Sequence, residues 1–228
     1  MEFRPNWAKN QTYKCLLLGD SGVGKSTFLR RHVTGKFTEQ HVPTRGLLVH
    51  TLLLQADYQA VALELWDVAG NARHGGLQNG YYFHAKCAIV MFDLSVESSA
   101  ISVVQWLRQL EDICGPEIPV VICGNKADLM PMPLNLLYRR RSRLDYCEIS
   151  ARAAWNLDEP LSLLCRRLLN KSNLVLISQP ILKPLPGCVL DEQKIRRRVK
   201  DIRKNALSEK DGEVRLRTAT KGQRIVLN

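Results

Sequence analysis

Gly19-Asp20-Ser21-Gly22-Val23-Gly24-Lys25-Ser26 carries the spacing G-x-x-x-x-G-K-S. Glycines at these positions let the backbone wrap closely around a chain of phosphates, and successive N–H groups form an anion-binding concavity. A helix that opens there adds partial positive charge. In such a loop, read here as Gly19–Thr27, Lys25 reaches the β- and γ-phosphates and the Ser26 hydroxyl can ligate Mg²⁺.

Two further motifs divide the remaining chemistry. Asp67-Val68-Ala69-Gly70 follows an apolar run ending at Trp66. An acidic residue beside a phosphate loop can hold the Mg²⁺ shell, and Gly70 can bring its N–H to a γ-phosphate. Asn125-Lys126-Ala127-Asp128 follows the apolar run ending at Gly124. A carboxylate at Asp128 can accept from the N1–H and the 2-amino group of guanine. Adenine lacks that donor pair and would leave the carboxylate desolvated, a mismatch that discriminates by about 10⁴-fold or more. Ser150-Ala151 follows a third strand and offers a backbone N–H to the base oxygen. The order of these motifs predicts a guanine nucleotide, GTP or GDP, with Mg²⁺. The acidic-residue motif and the base motif each follow an apolar run, as ligand sites at the carboxyl ends of open α/β sheets do.

The elements that must position these residues are legible as alternation. Apolar runs at Tyr13–Leu18, Cys87–Phe92, Pro119–Cys123 and Tyr146–Ile149 read as buried strands, with Gly46–Gln55 and Ala60–Trp66 as two more. Phe28–Val33 has helical character. Ser98–Cys114 carries an apolar stripe at Ile101, Val104, Leu107, Leu110 and Ile113. Leu157–Leu169 reads as a helix with Asp158 or Asn156 as N-cap. Continuously apolar strands alternating with helices predict an α/β fold: a six-stranded, mostly parallel sheet with helices on both faces, plus a C-terminal linker and helix.

The chain has 228 residues and ordinary globular composition, 24 % charged and 45 % apolar, which excludes wholesale disorder and fibrous classes. Its net charge of +11 is uneven: residues 179–228 hold 13 Lys/Arg against 6 Asp/Glu. The expected organisation is a loose N-terminus at 1–12, a nucleotide-binding domain at 13–172, an extended Pro-punctuated linker at 173–189, a basic helix at 190–207 and a disordered basic tail at 208–228. Seven cysteines without a C-x-x-C pair suggest free thiols in a reducing compartment. No signal peptide or membrane span is expected, nor prenylation, since the last four residues hold no cysteine.

With these motifs in place, the chain resembles the small GTPases of the Ras superfamily, and within them the Ran family, as a divergent relative. The resemblance covers residues 13–207 and rests on RRHVTGKF (30–37), GLLVH (46–50), GGLQNGYYFHAKCAIVMFD (75–93), IPVVICGNKAD (118–128), YCEISAR (146–152) and NLVLISQP (173–180). It implies a P-loop GTPase fold. It also implies that Phe37 stacks on the guanine and that Thr44 ligates Mg²⁺ with Ser26 and Asp67. Arg152 stands where the family has a lysine after Ser150-Ala151. Arg139–Arg143 falls where Ran binds acidic partner segments. The implied partners are importin-β-type transport receptors, an exchange factor and an activating protein. The implied setting is nucleocytoplasmic transport by a monomer, in nucleus and cytoplasm.

Departures matter as much. Asn71 occupies the place of the glutamine that orients the attacking water; its amide sits on a stem one methylene shorter. With Lys25 and Thr44 intact, hydrolysis is expected but slow. A GTP-locked binding module that competes for Ran's partners is the alternative, and a Rab-like trafficking GTPase a weaker one. His41 and Arg45 also differ from the family pattern, and Pro43 stiffens the chain before Thr44. The basic C-terminus replaces Ran's acidic end. The helix from Asp191 to Leu207 is expected to pack on the body through Ile195, Val199 and Ile202, as the resemblance to Ran implies; the alternatives are a solvated edge, or a cationic face that meets nucleic acid, chromatin or an anionic membrane.

Overall fold

The computed structural model describes residues 12–39, 44, 46–56, 59–70, 76–129, 134–137, 144–177, 184, 185, 188, 190–208 and 215–218. Among these, β1 (Thr12–Leu18), β3 (Gln59–Val68), β4 (Cys87–Asp93), β5 (Val120–Asn125) and β7 (Leu144–Glu148) run parallel, and β2 (Leu47–Ala56) pairs antiparallel with β3. The strand order is β2-β3-β1-β4-β5-β7. Every residue of β4 and β5 is buried, which explains their unbroken apolar sequence: both faces are covered.

Alternate side chains of one strand feed two cores. Leu16 and Leu18 of β1 face a layer with Val103, Trp106 and Leu110 of α2 (Glu97–Cys114) and Ile195 and Ile202 of α4 (Glu192–Ser208). Cys15 and Leu17 face the other way, onto Phe28 and Leu29 of α1 (Lys25–Thr34) and Leu161 and Leu164 of α3 (Glu159–Leu168). The fold is thus α/β, a six-stranded mostly parallel sheet between two helical layers, consistent with a P-loop small GTPase. The carboxyl ends of β1, β3, β4, β5 and β7 lie along one edge, and the loops leaving them carry the predicted motifs.

Several boundaries differ from the sequence reading. α1 begins at Lys25, three residues earlier than its apolar stripe suggests, because its first turn is the phosphate loop's end. Asp158 occupies the N-cap of α3 without a capping bond from its side chain; its carboxylate lies 3.6 Å from Nε2 of His32. The segment read as a linker from 173 begins as part of the body: Leu174 is buried, Leu176 bridges antiparallel to Ala56, and the Ile177 N–H donates to Gln55 O at 2.8 Å. Within the tail expected to be disordered, Arg215–Thr218 form β8, paired antiparallel with β6 (Leu134–Leu137). No described helix is long and apolar enough to cross a membrane. Residues 1–11, 139–143 and 219–228 lie outside the described residues, as do His41, Pro43, Arg45 and Asn71.

Candidate nucleotide site

The phosphate loop is held by groups that tolerate no side chain. Gly19 has φ +139, and a Cβ there would stand 2.1 Å from Met91 O. Gly24, at φ +101, would drive one to 2.3 Å from Asn125 Nδ2. Gly70 packs so closely on the loop that a Cβ would meet Ser21 N at 2.1 Å. Close backbone approach of this kind is the cradle a polyphosphate requires. Lys25 is 5 % exposed, and its Nζ donates to Gly19 O at 2.8 Å and Asp20 O at 2.9 Å. Burial pushes its pKa down to about 8, against the pull of Asp67 and Asp20. A buried cation whose hydrogen bonds among the described residues go to carbonyls is poised for an anion. The Asp20 carboxylate is anchored by Trp106 Nε1 at 2.9 Å, and Val23 is buried beneath the loop.

Three oxygen donors converge beside Lys25. Ser26 Oγ lies 2.5 Å from Thr44 Oγ1 and donates to Asp67 Oδ2 at 2.5 Å, and Thr44 Oγ1 lies 3.4 Å from the same oxygen. Asp67 is fully buried, and its Oδ1 has no hydrogen-bond partner among the described residues. Burial raises its pKa, while Ser26, Lys25 and Thr44 pull it back. Two hydroxyls and a carboxylate are hard ligands, and an orphaned buried carboxylate oxygen calls for a cation. The set fits Mg²⁺, which takes few protein ligands and shares the rest with water and phosphate.

At the other end, Asn125 is a brace. Its Nδ2 donates to Val23 O at 2.9 Å, and its Oδ1 accepts from Lys126 N at 2.8 Å and Ala151 N at 3.1 Å. It thereby ties the phosphate loop to the two loops that must read a base. Lys126 takes a positive φ of 65 and pairs through Nζ with Asp93 Oδ2 at 2.6 Å. Ser150 Oγ donates to Asp128 Oδ1 at 2.5 Å and accepts from Ala153 N at 2.9 Å. Arg152 pairs with Glu39 at 3.2 Å.

All of this surrounds one cavity of about 510 Å³, a size suited to a small-molecule ligand. Ser21, Gly22, Gly24, Lys25, Ser26 and Thr27 line one end with Thr44 and Gly70; Phe37, Asn125, Lys126, Asp128, Ala151 and Arg152 line the other. Gly19, Asp20, Val23, Asp67 and Ser150 lie behind the wall rather than in it. Of the two backbone N–H groups in the Ser150-Ala151 step, Ala151's donates to Asn125 Oδ1 at 3.1 Å and Ser150's to Trp155 O at 3.1 Å. The sequence reading missed Arg30, Thr38, Glu39 and Leu129, which also line the cavity. It also missed Asp93, whose place at the end of β4 was the available signal. Among the described residues no cluster of three His, Cys, Asp or Glu side chains could hold a metal; the proposed metal donors are mostly hydroxyls. A family model described as the Ras family matches residues 14–170.

Proposed function

We propose, on the premise that this chain belongs to the Ras family, that it is a Ran-like guanine-nucleotide switch that hydrolyses GTP slowly. Ras-family proteins are GTP-binding switches and, in general, GTPases that bind GTP or GDP with Mg²⁺. The observation that carries the reading to this chain is one continuous cavity. A buried lysine and the Ser26 and Thr44 hydroxyls line its phosphate end, with the Asp67 carboxylate behind them, and the Asp128 carboxylate, bonded to Ser150 at 2.5 Å, lines the other. A carboxylate so placed accepts guanine's paired donors and penalises adenine.

In hydrolysis, water attacks the γ-phosphorus as the bond to the β–γ bridging oxygen breaks. Lys25 offsets charge on the phosphate oxygens, and the Gly70 N–H can donate to the γ-phosphate. Charge neutralisation is also what Mg²⁺, held by Ser26, Thr44 and Asp67, would supply. Asn71 holds the water less well than glutamine would, since its amide falls one methylene short. A γ-phosphate orders the segments around Thr44 and Gly70, and its loss releases them.

The Ran-like part rests on the sequence stretches named above and on a C-terminal helix docked on the body through Ile195 and Ile202. It implies GTP-dependent binding of importin-β-type receptors, traffic between nucleus and cytoplasm, and a monomer served by an exchange factor and an activating protein. The test is capture of such a receptor by the chain loaded with a non-hydrolysable GTP analogue or with GDP. Retention with the analogue alone supports the reading; equal or no retention in both contradicts it. Asn71 favours a second reading, a GTP-locked module that competes for the same receptors.

A further inference from the structure

Two walls of the cavity that are 113 residues apart in sequence are joined by one ion pair, Arg152 Nη2 to Glu39 Oε1 at 3.2 Å. Glu39 belongs to the segment leaving α1 and Arg152 to the loop leaving β7. Phe37 and Thr38 line the cavity on the first side and Ala151 on the second. The first segment is also tied back to α1, where Arg30 Nη1 donates to Thr38 Oγ1 at 3.1 Å. The Arg152 carbonyl is engaged as well, accepting from Leu185 N at 3.4 Å. The pair is therefore strung between two tethered supports, and a ligand lying between Phe37 and Ala151 has it across its exit.

We propose that the Glu39–Arg152 pair is a strap that sets how long a nucleotide stays bound. This rests on the guanine-nucleotide reading above and adds a determinant of release. Both side chains are solvent-accessible, 74 % and 43 % exposed, so the strap is weak and salt-sensitive. Exposed pairs of this kind are worth enough to change a rate by about 1.4- to 5-fold. Raising ionic strength from 0.05 to 0.5 M shrinks the Debye length severalfold and loosens it. The geometry also specifies a charge pattern: a negative group at 39 and a positive one at 152, or the reverse.

The experiment measures release of a fluorescent GDP into excess unlabelled GDP from the full chain. It compares wild type, Glu39→Arg, Arg152→Glu and the double exchange, each at low and high salt. The expected result is about two- to fivefold faster release in each single variant at low salt. The double exchange should return to within about twofold of wild type, and wild-type release should quicken with salt. Four equal rates, or a double variant as fast as the two single effects combined, would overturn the strap while leaving nucleotide binding intact. A chain that retains no guanine nucleotide at all would overturn the underlying reading and the strap together.

Discussion

Arg198 of α4 donates through Nε to both carboxylate oxygens of Glu148 at the end of β7, at 2.8 Å and 3.0 Å, and its Nη2 adds a further bond to Oε2. Glu148 is fully buried, and Tyr146 OH donates to its Oε1 at 2.8 Å. Arg203 also donates to Tyr146 O. The C-terminal helix thus satisfies a charge inside the domain, two residues before Ser150. Removing one partner of a buried pair costs about 3–5 kcal/mol because the other charge is left stranded. Arg198→Leu is therefore expected to lose about 3 kcal/mol in urea unfolding, and Glu148→Gln with Arg198→Leu to regain much of it. A loss below about 1 kcal/mol would show that α4 is loosely held.

Lys25 links the site to pH. Its folded pKa of about 8 lies below its ordinary 10.5, so between these values the unfolded chain binds more protons. Stability of the empty protein therefore rises with pH through that window. A bound polyphosphate favours the charged ammonium. Near pH 8, where half of Lys25 is neutral, GDP binding should take up about half a proton. Calorimetry at pH 8 in two buffers of different ionisation enthalpy reads this directly, and identical apparent enthalpies would refute it.

The proposed Mg²⁺ site gives Asp67 a metal dependence to test. Its buried Oδ1, unpartnered among the described residues, costs the empty site stability that a divalent cation would restore. Asp67→Asn should leave the melting temperature without Mg²⁺ unchanged or higher, and should abolish the rise that Mg²⁺ brings to the GDP-bound protein. An undiminished Mg²⁺ effect in the variant would remove Asp67 from the metal shell.

What the sequence made legible follows from how local each signal is. The phosphate loop and Asn125–Asp128 are short motifs with chemistry in their residue types, and their strands announce themselves by unbroken apolar runs. What stayed hidden is non-local. Asp20–Trp106, Arg152–Glu39 and Arg198–Glu148 pair residues 86, 113 and 50 positions apart, and nothing in either partner's neighbourhood names the other. β6 and β8 escaped because four-residue strands such as Leu134–Leu137 and Arg215–Thr218 carry too few residues for alternation to register. The basic stripe of α4 read as a solvated edge or a polyanion contact, yet two of its arginines turn inward to Glu148 and Tyr146.

The proposed function makes Asn71 the residue that slows hydrolysis. Loss of one preorganised transition-state contact costs about 10²–10³ in rate. Asn71→Gln is expected to speed single-turnover GTP hydrolysis by up to that factor. Equal rates in the two proteins would mean that the shorter amide is not limiting.

The most direct test is the nucleotide carried by the freshly purified chain, released by denaturation and separated by chromatography. A guanine nucleotide is expected, with GTP dominant under the slow hydrolysis proposed above. GDP in its place would contradict slow hydrolysis alone. An adenine nucleotide, or none, would contradict the guanine switch itself.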